Sequence, residues 1–201
     1  MARFVVASVS CLLLVPAAGR GQACAEPHYR WSEKVDTTLQ ARPATPADIA
    51  AILTDWAPLS LTSKDRCAPR VGREDSVFTV VGWVRRLKLH EADGDWHIEL
   101  TQRLDSPADS CVVVEIPAVR YSPRYARARA ALDSLIGDRK IRRGGLLARP
   151  VLARISGAPF FDGQHRRGGR RSDKIDGAHG RCNSSVRALW EIHPVYRVTS
   201  P

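Results

Sequence analysis

The chain lacks most of the short motifs that announce a chemistry. Its 201 residues hold no Cys-x-x-Cys pair, no His-x-x-x-His pair and no Gly-x-Ser-x-Gly stretch. These absences argue against a zinc knuckle or thioredoxin-type redox pair, a helical pair of zinc ligands, and the nucleophile elbow of an α/β-hydrolase. Aromatic residues make up only 6% of the chain, which leaves little for the stacking platform on which single-strand nucleic-acid binders lay successive bases. The remaining candidates for such stacking, Trp83, Phe160 and Phe161, sit in apolar stretches that read as core. Beyond residue 15 no apolar run approaches the roughly 20 residues that a membrane-spanning helix needs.

What is present is ordinary in amount and uneven in place. The hydrophobic share of 44% and the charged share of 26% are those of a globular protein. The length suits one domain with a real core, alone or with an appended segment. The net charge of +10 is lopsided: residues 1–119 hold 13 Lys/Arg against 15 Asp/Glu, and residues 120–201 hold 18 against 6. A basic half of this kind can attract polyanions such as nucleic acid, anionic lipid or acidic glycan, although an Arg-biased composition would also produce it.

"MARFVVASVSCLLLVPAAG" has a basic residue, an apolar run from Phe4 to Val15 and then small residues, the pattern of a signal peptide, assigned to residues 1–23. The mature protein is therefore expected to be exported, periplasmic or secreted, with no transmembrane segment. Export leaves Cys24, Cys67, Cys111 and Cys182 in an oxidising compartment, where two structural disulfides are the default and three pairings are open.

Along the chain, "TPADIAAILTDW" reads as a helix with Thr45 as N-cap and Pro46 at its first position. From Val77 the period changes to two. "VFTVVGWVRRLKLH" reads as a strand in which Gly82 marks a bend or bulge, and "EADGDW" carries a hairpin signal. A second alternating strand follows from Trp96, then a third, "CVVVEIP". "SPRYARARAALDSLIGD" is a helix capped by Ser122 and stopped by Gly137, "RPVLARISGAPFFD" a fourth strand, and "ALWEIHPVYRV" a fifth. Residues 163–187 between the last two form a Gly/Arg-rich loop.

Three strands, a helix and two strands is the order of an OB-fold. The expected architecture is mainly β: a five-stranded OB-like Greek-key barrel over residues 77–201, with its helix between strands three and four. A short N-terminal helical segment over 24–76 precedes it, and another small α+β sheet domain is the alternative. Strands three and five of such a barrel can neighbour one another, which pairs Cys111 with Cys182 and leaves Cys24 for Cys67. In the fifth strand the two-residue period puts Trp190, Ile192, Tyr196 and Val198 on the core face and Glu191, His193, Val195 and Arg197 on an outer, semi-exposed face.

"DGDWHIEL", "EIP", "SGAPFFDGQH" and "WEIHPV", in that order, resemble the pattern of a group of uncharacterised exported bacterial proteins. That pattern reads approximately Asp-Gly-Asp-x-His, Glu-Ile-Pro, Gly-x-x-Phe-Phe-Asp-x-x-His and Glu-Ile/Leu-His-Pro-Val, and it covers about residues 79–198. The resemblance implies a shared OB-like domain without an activity to inherit. Its polar marks fall on Asp95, His97, Glu115, Asp162, His165, Glu191 and His193. The long basic insertion after His165 departs from the pattern.

Two chemistries compete on these residues. His97, Glu99, His165, His193 and Glu191 are the residue types that hold zinc or a similar divalent ion, brought from separate strands and a loop. The loop sequence "HRRGGRR" offers Arg166, Arg167, Arg170 and Arg171 as forks for phosphate, with glycines that let the backbone approach. "DGDWHIEL" is also similar to the Asp-Gly-Asp-Thr strand of thermonuclease-like OB-folds, but Trp96 replaces the Thr and the family's Arg/Asp-Pro-Glu segment is missing. The expected function is an exported binding module for a polyanion, an oligonucleotide or an oligosaccharide, acting through the basic loop without a cofactor. The alternative is a metal-dependent hydrolase built on the His/carboxylate set.

Overall fold

The computed structural model describes residues 24–177 and 179–201, so the signal-like stretch 1–23 lies outside the described residues. In chain order the elements are α1 (Trp31–Lys34), β1 (Ala44–Pro46), α2 (Ile49–Thr54), β2 (Val77–Lys88), β3 (Trp96–Thr101), β4 (Cys111–Ile116), α3 (Pro123–Ile136), β5 (Leu146–Phe161) and β6 (Trp190–Thr199), with short 3₁₀ turns between them. The six strands form one sheet in the order β1-β2-β3-β4-β6-β5, and β5 pairs in addition with β2. The β1–β2 and β4–β6 ladders are parallel and the others antiparallel. The 16 residues of β5 serve two partners: its first part runs along β2 and its second along β6.

Alternation on the strands builds the core. Val80, Val84, Ile98, Leu100, Val112, Val114, Ile116, Ile155 and Ile192 all point inward and are buried. Helix α3 covers one side, and its start is written locally: Ser122 accepts from the Arg124 N–H at 3.2 Å and Pro123 takes the first turn. Tyr125, Ala128, Leu132 and Ile136 make its buried stripe.

Two local expectations shift. Thr45 and Pro46 do not open α2; they lie in β1, parallel to the exposed edge of β2, with the Ala47 N–H donating to Thr79 O at 2.9 Å, and α2 begins at Ile49 after Asp48. Gly82 is not the bulge. The register slips between Val84 and Arg86, while Gly82 is where α2 comes down on the sheet: a Cβ there would stand 2.5 Å from Ile49 Cδ1.

The segment 24–76 packs on the sheet rather than standing beside it. Arg30 is fully buried and grips Glu74 with both terminal nitrogens at 2.8 Å, and Glu74 in turn accepts from the Phe161 N–H at 2.9 Å. Arg70 donates to Pro159 O and to His193 O. Tyr125 and Tyr196 both donate to the carbonyl of Asp36. Two disulfides join Cys24 to Cys67 and Cys111 to Cys182, the second tying the 163–187 loop to β4. Among the described residues no helix is long and apolar enough to cross a membrane.

This covering overturns one expectation. Glu191 and His193 are not semi-exposed: they are 2% and 0% accessible, as buried as Trp190 and Ile192. The period placed them on the outer face, but the N-terminal segment and the 163–187 loop close over that face.

Candidate metal centre

Strand register lays out a polar patch on the covered face. His97 on β3 stands opposite Glu115 on β4, and Glu99 opposite Val113. Val113 is in turn level with Glu191 on the parallel strand β6, so the alternation brings Glu115 beside His193. Asp95 enters from the turn before β3, accepting from the Ala118 N–H at 3.0 Å.

The contacts form a chain of imidazoles and carboxylates. His97 Nδ1 donates to Glu115 Oε1 at 2.8 Å, and its Nε2 lies 3.7 Å from Glu99 Oε1. His193 Nδ1 faces Glu115 Oε2 at 3.1 Å and Glu191 Oε2 at 3.4 Å. His193 Nε2 lies 3.2 Å from Asp95 Oδ2, but out of hydrogen-bond alignment, so both atoms are buried without a hydrogen-bond partner. His179 Nε2 donates to Glu191 Oε1 at 2.8 Å, and the His179 ring packs on that of His165 at 5.0 Å. Asp162 stands 3.6 Å from both His165 Nε2 and Lys34 Nζ.

Charge is strongly coupled here. Burial alone would lower the pKa of His97, but the hydrogen bond to Glu115 and the nearby carboxylate of Glu99 overcome it and raise the value to about 10. The same opposition raises His193 and His179. Burial and the charge of Glu115 push Glu191 up, yet hydrogen bonds from His179 and His193 hold it down at about 2. Burial opposes the ionisation of Glu115 too, and its two histidine partners hold it well below the usual carboxylate range. Lys34 is buried, and the charges of Asp162, Glu191 and Glu115 outweigh that burial and keep it cationic. Five buried carboxylates, Asp95, Glu99, Glu115, Asp162 and Glu191, thus meet only Lys34 and Arg86 as direct permanent cations among the described residues. Protons on the imidazoles or a divalent cation can supply the missing positive charge.

The donor set suits such an ion. One atom each from Asp95, Glu115 and His193 lies within 4.8 Å of the others. The 3.2 Å between His193 Nε2 and Asp95 Oδ2 is near the ~3.3 Å that separates ligand atoms in a tetrahedral site with bonds of about 2.0 Å, whereas the 3.1 Å contact of Glu115 Oε2 is with the other ring nitrogen, Nδ1. Nitrogen and carboxylate oxygen suit zinc or manganese. A second grouping, Glu99 with Cys111 and Cys182, is excluded because both sulfurs are in the disulfide. A cleft of about 310 Å³ opens beside the centre, walled by His97, Glu115, Glu191, His179, His165 and Lys34 among others.

Of the residues the sequence proposed, His97, His193 and Glu191 come together in one network, and His165 joins at the cleft wall, 23% exposed in its side chain. Glu99 links His97 to Arg86. Asp95 and Glu115, marked only by resemblance, supply two of the three residues of the trio that could hold an ion. His179 and Lys34 were not signalled at all: one sits in the Gly/Arg-rich loop, the other in a polar stretch. The loop arginines divide. Arg166 is buried over Phe161 and donates to Arg170 O, and Arg170 pairs with Asp65 at 2.8 Å. Arg167 lies 3.4 Å from Asp176, largely exposed, and Arg171 is exposed. Of the aromatic candidates, Phe160 and Phe161 are fully buried and Trp83 half-buried.

No protein-family profile, curated protein or solved structure matches the chain.

Proposed function

We propose that the protein is a divalent-cation-dependent hydrolase acting at the cleft beside His97, with Asp95, Glu115 and His193 as the ligands of the ion. The observation that carries this is the buried trio itself, in which His193 Nε2 and Asp95 Oδ2 face each other without a hydrogen bond to either. A cation bound there would polarise a carbonyl or phosphoryl oxygen and acidify a water. The chain's own groups do the rest. His97 and Glu191 hold the ligand carboxylate and imidazole in place, as outer partners of metal ligands do. His165, beside Asp162 and accessible from the cleft, is placed to take up or release a proton. Lys34, Arg66 and Lys88 share the cleft wall with Glu91, Asp93, Glu115, Asp162 and Glu191, so the cleft offers groups of both signs to a polar substrate.

The fold we infer is an OB-like barrel. The pairings run from β2 through β3, β4, β6 and β5 back to β2, and α3 falls between the third and fourth of these strands in chain order. The resemblance to the exported bacterial group points the same way, and two disulfides suit an oxidising compartment. Polyanion binding through the basic loop is less supported, since Arg166 and Arg170 are turned to internal partners. A panel of chromogenic phosphate and carboxylate esters tests the activity. Hydrolysis with added zinc or manganese, abolished by chelator and by Asp95→Asn, is the expected result. No turnover of any ester with the ion demonstrably bound would overturn the hydrolase assignment.

A further inference from the structure

We propose that a second cleft, between β2, the Arg143–Gly145 turn and the Cys111–Cys182 disulfide, binds a tetrahedral oxyanion of the phosphate class. Its walls carry Arg85, Arg86, Arg143 and Arg181, with Glu99 and Thr101. The volume is about 160 Å³, below the roughly 300 Å³ at which drug-sized ligands begin to fit, and suited to an ion or a single charged end-group.

The arginines are gathered by three separate devices. In a regular strand Arg85 and Arg86 would point to opposite faces. The register slip between Val84 and Arg86 makes Arg85 the extra residue, and both side chains then line the same cleft. Arg143 arrives on the turn before β5, whose Gly144 carbonyl accepts from Arg86. Arg181 is pinned through its backbone, its N–H donating to Glu99 Oε1 at 3.0 Å, next to the disulfide of Cys182. Gly180 makes this possible: it has φ 56°, and a Cβ there would come within 2.7 Å of Glu99 Oε1 and 2.9 Å of His97 Nε2.

The internal partners do not balance this charge. The only carboxylate in the lining, Glu99, is engaged by Arg86 at 3.0 Å. Arg85 donates to the neutral carbonyl of Leu104 and keeps its Nε buried without a hydrogen-bond partner. Arg143 and Arg181 are exposed and make no ion pair among the described residues. Several planar forks around one small cavity match a tetrahedral oxyanion, which accepts from more than one guanidinium at once. The site is separate from the hydrolase assignment and stands whether or not that assignment holds.

Titration calorimetry on the full disulfide-bonded chain, in chelator and at fixed chloride ionic strength, tests it. Inorganic phosphate is one arm and glycerol 3-phosphate the other, which distinguishes a free ion from an ester end-group. Saturable binding with a Kd at or below roughly 1 mM is expected in at least one arm. It should weaken by about tenfold or more, the loss of charge-assisted forks, in the doubly substituted Arg143→Ser/Arg181→Ser protein, with circular dichroism unchanged. Arg171→Ser, in the basic loop, should bind as the parent does. No saturable binding of either probe, or equal loss in the Arg171→Ser protein, would overturn the proposal.

Discussion

His193 is held on three sides by the carboxylates of Asp95, Glu115 and Glu191, and its carbonyl accepts from Arg70. Removing it leaves buried carboxylates short of a partner, which costs roughly 3–5 kcal/mol in comparable buried pairs. Emptying the neighbouring Trp190 site costs a similar roughly 3–5 kcal/mol. Urea unfolding of His193→Ala and Trp190→Ala should therefore give losses of the same order; a His193 loss under about 1 kcal/mol, the range of an ordinary surface change, would contradict the buried network. The network also sets a pH window. In chelator, the raised histidines contribute stability that is complete below their ordinary 6.5 and drains away as pH rises toward about 10, the value for His97. The lowered glutamates contribute stability that is complete above 4.5 and is lost as pH falls toward about 2, the value for Glu191. The melting temperature of the chelated protein should therefore peak between about pH 4.5 and 6.5, and added zinc should lift its alkaline side most, because a metal takes the neutral imidazole. A flat profile from pH 5 to 9 in chelator would show that these groups are not coupled as described.

At the scale of elements, what the chain writes locally was readable. The Ser122–Pro123 start and the stripe of Tyr125, Ala128, Leu132 and Ile136 define α3 within its own residues. The alternation in β6 correctly grouped Glu191 with His193, because strand faces follow from a period of two. What covers a face is written elsewhere: Arg70 reaches His193 across 123 residues and His179 comes from a loop of glycines and arginines. Thr45–Pro46 carries a helix-start signal, yet the open edge of β2 claimed it as β1. Asp95 and Glu115 carried no local metal signature because the histidine that completes their trio lies on β6. The loop's attachment gives a further expectation. Cys111–Cys182 closes a span of 71 residues and Cys24–Cys67 one of 43, so loop entropy alone makes each worth about 4 kcal/mol. Their local effects should differ. Trypsin should cut near Arg181 markedly faster after Cys111→Ala/Cys182→Ala than after Cys24→Ala/Cys67→Ala. Equal rates would mean that the 163–187 loop is held without its disulfide.

At the scale of the whole molecule, the N-terminal segment is part of the site. It supplies Lys34 and Arg66 to the cleft, Arg70 to the backbone of His193, and Arg30 to a buried pair that reaches the end of β5 through Glu74. Glu74→Ala would strand the guanidinium of Arg30 in the interior and should cost roughly 3–5 kcal/mol by chemical denaturation, and a loss of a few tenths would mean that the segment is only loosely docked. The reading of 24–76 as an appended segment followed from its irregular, polar composition; the burial of Arg30 and Arg70 depends on partners that no local pattern reveals. The central claim is that the covered face of the sheet holds a divalent cation. Metal analysis by inductively coupled plasma mass spectrometry, on protein equilibrated with zinc or manganese and then desalted, measures it most directly. One ion per chain is expected, retained by Arg171→Ser and lost from Asp95→Asn with its circular dichroism intact; a chain that keeps no ion under any of these conditions, or one whose ion survives Asp95→Asn and Glu115→Gln together, would rule the site out.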